Sequence, residues 1–161
     1  LFSQLTVNAP NLYIFVPWEV AEPALRIGFI VAFSTLAAWI ICTALDKREI
    51  TPERMVLLAL ISVSLTPFVL PRMHERYFYP ADALALIAAF FNPDLWIVPF
   101  AFQLSSGLAS AVYLKGKPPE PVMYGAIINT VILIVLIVYQ FSRQTKPTNA
   151  AIDQGDVEQE K

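Results

Sequence analysis

Arg72, His74, Glu75 and Arg76 stand together between two long apolar runs, and the histidine is the only one in the chain. A guanidinium is a planar fork whose N–H groups meet phosphate oxygens in pairs. An imidazole adds a further donor and can move a proton near neutral pH. Glu75 has two uses in such company: to orient an arginine, or to accept from a sugar hydroxyl. Tyr77, Phe78 and Tyr79 follow at once, and such rings suit headgroup depth in a bilayer. In a helix, Arg72 and Arg76 would share one face, a turn apart. Together these residues suit a lipid-linked phosphate whose tail stays in the membrane. The bland alternative is an interfacial anchor in which Glu75 neutralises an arginine, and residue types alone do not separate the two.

A second constellation precedes the first apolar run. The stretch Thr6-Val7-Asn8-Ala9-Pro10-Asn11-Leu12-Tyr13 combines two amides, a proline and a tyrosine. Asn8 and Asn11 there either bond sugar hydroxyls or satisfy loop backbone.

The elements that must position these groups lie in the apolar runs. The chain has 161 residues, 57% hydrophobic and only 15% charged, with mean hydropathy +0.58. Soluble domains carry about 25% charged residues, so the composition predicts an all-α, polytopic transmembrane helical bundle. Pro23 suits a first helical residue, and Ala24 to Leu45 makes the first span. A charged link, 46–54, leads to a second span, Met55 to Leu70, which Pro67 should kink. Asn92-Pro93-Asp94 divides the next stretch into a short helix, Ala81 to Phe91, and a longer one, Leu95 to Leu114. Val122 to Ser142 is the last span. The bundle thus has four to five membrane helices, the short one either crossing or re-entrant. Three regions follow: 1–22 as an extracytoplasmic interfacial loop, 23–142 as the membrane domain, and 143–161 as a disordered polar tail.

Orientation comes from lysine and arginine in short loops. With five crossings, Lys47, Arg48 and Arg54 share the cytoplasmic side with Arg143 and Lys146, and the His-Glu-Arg segment lies outside. With a re-entrant short helix the later elements swap sides. Asp82, in the first turn of the short helix, suits the helix dipole. Ser105, Ser106 and Gly107 suit close helix packing, and Asn129, at mid-span, suits a bond to a neighbouring helix.

Several classes are excluded. One histidine and one cysteine cannot build an ordinary zinc site or a disulfide framework. The single histidine already lies in the arginine-rich segment, which leaves no Ser-His-Asp set. Five scattered glycines form no phosphate-cradling loop. No basic stripe suits nucleic acid.

The segment Pro71-Arg72-Met73-His74-Glu75-Arg76-Tyr77-Phe78-Tyr79-Pro80-Ala81-Asp82 resembles the late His-Glu-Arg-Tyr segment of bacterial integral-membrane glycosyltransferases of the GT-C superfamily. The nearest group is the mannosyltransferases related to the GPI second mannosyltransferase. Asn8-Ala9-Pro10-Asn11-Leu12-Tyr13 resembles that group's Asn-Ala-x-Asn-Leu-Trp stretch, with Tyr13 in place of Trp. The two matches and their spacing cover about half of the chain. With no initial Met, the chain reads as the C-terminal part of such a protein.

The resemblance implies a GT-C-like fragment in the bacterial plasma membrane, with its active face outside. It implies an inverting transfer of a sugar, taken as mannose, from a polyprenyl-phosphate-linked donor to a glycan or lipid acceptor. His74 and Arg76, with Arg72, would contact the donor phosphate. Glu75, Tyr77, Asn8 and Asn11 would support them. The family's catalytic acidic residue lies in a first outer loop that this chain does not match, so no catalytic base is assigned; the upstream part of the same protein would be a partner. No metal site is expected here, although the complete enzymes often use a divalent metal. The alternative is a non-enzymatic lipid-phosphate-binding membrane protein, a carrier or a flippase subunit.

Overall fold

The computed structural model describes residues 5–115 and 120–142. Arg143, Lys146 and the tail expected to be disordered lie outside the described residues, as do Leu1–Gln4 and the centre of the loop after Lys115. Five α-helices account for most of the rest: α1 (Ala21–Leu45), α2 (Pro52–Val69), α3 (Tyr79–Phe91), α4 (Ile97–Lys115) and α5 (Glu120–Ser142). Four of them, α1, α2, α5 and α4 with its leading turn from Pro93, are long and apolar enough to cross a membrane. The chain is an integral membrane protein with an all-α helical bundle.

Local chemistry explains the helix limits. Pro23 sits in the third position of α1, two residues later than expected. The N–H it lacks is one of four without a partner at a helix start. α2 begins at Pro52, earlier than the expected Met55, because Thr51 caps it by accepting from the Arg54 N–H at 3.4 Å. Within α2, the hydroxyls of Ser62, Ser64 and Thr66 donate to the carbonyls four residues back at 2.7–2.8 Å. Each polar side chain is thereby satisfied inside the span, as an apolar solvent requires.

Helices α2, α3, α4 and α5 share one core built on Leu60, Ile61, Phe78, Phe102 and Leu136. α1 lies at the periphery, tied to α2 by the Trp39 indole N–H donating to Ser62 at 2.9 Å. Its remaining faces expose Ile27, Ile30, Phe33 and Ile40.

The ends of the bundle are chemically distinct. At one end Asp46 joins Arg48 and Arg54 in a knot, the second at 2.6 Å. Arg48 also donates to the Gln140 carbonyl near the end of α5 at 2.8 Å. The paired guanidiniums, Arg48 first, hold the Asp46 carboxyl well below the usual carboxylate range. Asn92, at the end of α3, reaches the Glu53 carbonyl at the same end of the bundle. At the other end of α3, the Tyr79 hydroxyl lies 3.4 Å from Ser110 in the last turns of α4. α3 therefore runs from one end of the bundle to the other; it does not turn back on itself. At 1.5 Å per residue it is about 20 Å long beside about 27 Å for α2. The missing length is supplied by residues 70–78, which step down from the end of α2 to the start of α3.

Candidate functional site

The step between α2 and α3 is the His-Glu-Arg segment, and it is not one helix. Met73–His74 is a short strand, β2, paired in parallel with β1, Thr6–Val7; Thr6 lies opposite Met73 and Val7 opposite His74. A further bridge pairs Asn8 with His74, and the Arg72 N–H donates to the Leu5 carbonyl at 2.6 Å. Glu75–Phe78 then forms a 3-10 turn. The expected placement of Arg72 and Arg76 one turn apart on a helix is thus corrected. The strand pairing takes the backbone N–H groups that a helix would need.

The alternation of this segment sorts its side chains. Pro71, Glu75 and Phe78 are buried, while Arg72, Arg76, Tyr77 and Tyr79 are exposed and His74 is half-buried. Arg76 lies over the Tyr77 ring, 5.9 Å from its centroid, and the His74 ring is 6.1 Å from the same tyrosine. Among the described residues, neither Arg72 nor Arg76 has a carboxylate partner. Arg76 and His74 thus meet at one tyrosine, and the exposed Arg72 lies two residues before His74; guanidinium and imidazole groups of this kind can bind an anion through charged hydrogen bonds.

Arg72 takes φ of +60° and Asn8 φ of +54°. Asparagine tolerates this left-handed region, whereas for arginine it is uncommon. Asn8 follows β1 and Arg72 precedes β2, and each meets the other segment through its backbone, so the clasp and the unusual backbone occupy the same place.

The asparagine stretch divides by role. Asn8 lies opposite His74, half-buried, and its side-chain amide makes no hydrogen bond among the described residues. Asn11 is fully buried. Its Nδ2 reaches the Pro67 and Leu70 carbonyls, both at 3.4 Å, and its Oδ1 accepts from the Tyr13 N–H at 3.1 Å. The Tyr13 hydroxyl lies 2.7 Å from the Val69 carbonyl and 3.0 Å from the Gly28 carbonyl. The last carbonyls of a helix have no partner within it, and Asn11 and Tyr13 cap those of α2. Of the two roles open to Asn11, satisfying backbone is the one its amide fills in this structure.

Other expectations change in a similar way. The Asn129 Nδ2 donates to the Pro10 carbonyl at 2.9 Å, a loop rather than a neighbouring helix. Asp82 is buried, and its Oδ1 accepts from the Ser106 hydroxyl at 3.0 Å, so it joins α3 to α4 in addition to standing in the first turn. Ser105 meets the Gly125 carbonyl at 3.0 Å, whereas Gly107 faces open space. Sequence reasoning missed Gly28 and Gly125. Each marks a close approach, of Tyr13 and of Pro10 respectively, and a glycine inside an apolar span is a signal for such contacts.

No three or more histidine, cysteine, aspartate or glutamate side chains among the described residues are placed to hold a metal. The donor set among the described residues does not fit a divalent cation. No family model matches the chain, and comparison with curated proteins and with solved structures yields no match.

Proposed function

We propose that this end of the bundle binds the phosphate of a polyprenyl-phosphate-linked sugar, and that the chain is part of a GT-C-type glycosyltransferase moving that sugar, with mannose the first candidate, to an extracytoplasmic acceptor. The supporting observation is the clasp. Two segments 65 residues apart, each singled out by its residue types, pair so that Asn8 lies opposite His74 beside the unpaired Arg72. Arg72, His74 and Arg76 supply positive charge and donors where negative charge would develop on a departing lipid phosphate. Tyr77 and Tyr79 suit the headgroup region, which keeps the phosphate level with the arginines while the isoprenoid tail remains in lipid.

The orientation fits this reading. Lys47, Arg48 and Arg54 share the end opposite to the clasp, and Arg72, Arg76 and Lys115 lie towards the clasp, a weak lysine and arginine bias that we read with the Asp46 end in the cytoplasm. The clasp then faces outward across the bacterial plasma membrane. The same anion-binding groups would also serve a carrier or flippase subunit, which differs by releasing its lipid phosphate unchanged.

The test is sugar transfer in membranes bearing the protein in its complete form, with polyprenyl-phosphomannose supplied. Wild type is compared with Arg76→Ala and His74→Ala at matched abundance. Loss of one charged hydrogen bond of about 1.5–3 kcal/mol lowers the rate by roughly 10- to 150-fold for Arg76→Ala. Binding without any glycoside product favours the carrier. Full transfer by both variants removes this segment from the chemistry.

A further inference from the structure

Glu75 is the odd member of the basic segment. It is 8% exposed, and its Oε2 is buried without any hydrogen-bond partner. Arg72 and Arg76 are not its partners: neither forms an ion pair with it among the described residues. Of the two uses for a carboxylate here, orienting an arginine is therefore absent. A buried acceptor without a donor is unfavourable, and more so when charged. An ionisable group buried within a membrane protein marks a candidate functional site. What it lacks is a hydrogen-bond donor. A phosphate is an acceptor and would be repelled; a hydroxyl fits.

We propose that Glu75 reads the sugar of the bound lipid: its free Oε2 accepts a hydrogen bond from a hydroxyl of the glycosyl group while Arg72, His74 and Arg76 hold the phosphate. This rests on the phosphate-site reading above and extends it from a lipid phosphate to a glycosyl phosphate. The position suits the task. Glu75 opens a four-residue 3-10 turn, with His74 on one side in the clasp and Arg76 on the other at the surface. Hydroxyl recognition would thus come from a buried residue flanked in sequence by the residues that hold the phosphate. A site that hydrogen-bonds a hydroxyl rejects a ligand lacking it strongly, because the buried acceptor is then left unpaired.

The experiment measures binding of polyprenyl phosphate and polyprenyl-phosphomannose to the complete protein in nanodiscs. Wild type should bind the glycosylated lipid at least tenfold more tightly than the bare lipid phosphate. Glu75→Gln, which keeps the side-chain shape, should erase most of that preference while changing affinity for polyprenyl phosphate less than threefold. Arg76→Ala should weaken both lipids together. Equal wild-type affinity for the two lipids overturns the proposal and leaves the phosphate site standing, with no need of a folded variant. Equal weakening of both lipids by Glu75→Gln also overturns it, since that is a structural effect. Failure of wild type to bind either lipid overturns the phosphate site itself.

Discussion

Gly28→Ala is the sharpest test of how the asparagine stretch is seated. In an open helix, glycine to alanine stabilises by about 1 kcal/mol. At Gly28 a new methyl would lie 2.9 Å from both Cε1 and Oη of Tyr13 and 3.1 Å from Cζ. The ring is buried and its hydroxyl is held by the Val69 and Gly28 carbonyls, so it cannot move aside freely. Overpacking of this kind destabilises by about 1–3 kcal/mol. Displacing the hydroxyl from its carbonyls removes a further hydrogen bond of about 1 kcal/mol. The net expectation is a loss of about 1–3 kcal/mol once the helix-propensity gain is offset. The assay is thermal or denaturant unfolding of the purified protein in detergent, in a cycle with Tyr13→Ala. With the ring gone, Gly28→Ala should become stabilising, which gives a coupling of about 2–4 kcal/mol between the two positions. Gly107→Ala is the control: no atom lies within 4 Å of its added methyl, and the change should stabilise by up to about 1 kcal/mol. Stabilisation by Gly28→Ala in both backgrounds, equal to that at Gly107, would refute the close packing of Tyr13 against α1.

Two further outcomes follow from the site and from the opposite end. Arg72→Gly relieves a left-handed arginine, a conformation disfavoured by roughly 1–2 kcal/mol, so stability should hold within about 1 kcal/mol while lipid-phosphate affinity, measured by titration in nanodiscs, falls. Asp46→Asn breaks the knot with Arg48 and Arg54 and should lower unfolding stability by about 1–3 kcal/mol. Because the folded Asp46 pKa is depressed, its contribution is present above the ordinary carboxylate value of about 3.9 and is lost as pH falls further; denaturant titrations at descending pH should show that loss in wild type and not in Asp46→Asn.

The long helices were legible because they rest on local information. Apolar runs of about 20 residues bounded by Pro23, Thr51-Pro52 and Asn92-Pro93 specify spans almost by themselves, and the observed limits differ by a few residues. The site was legible as a set of residue types and not as a geometry. Nothing in the spacing of Arg72 and Arg76 reveals that Met73 and His74 pair with Thr6 and Val7, because that partner lies two spans away. Asn11 illustrates the same limit. An asparagine in a loop suits a sugar hydroxyl as well as a carbonyl, and only the position of the α2 terminus shows that Pro67 and Leu70 take it. For α3, a helix of 13 residues is too short to announce itself as crossing the bundle. Its course depends on Asn92 meeting Glu53 at one end and Tyr79 meeting Ser110 at the other.

The clasp between β1 and β2 also bears on how the protein is assembled in the membrane. A parallel pair requires a long crossover, and here that crossover is an entire helical hairpin, α1 and α2. Residues 5–8 emerge before either helix has been inserted, and residues 72–74 emerge only after both. Asn8 and His74 can meet only when both helices thread across and return the chain to its starting face. If α2 failed to insert, the two halves of the clasp would be stranded on opposite sides of the bilayer, and Asn11 and Tyr13 would have no helix end to cap. Loop closure on this scale is a late event in folding, so completion of the site reports that the first hairpin has reached its correct topology.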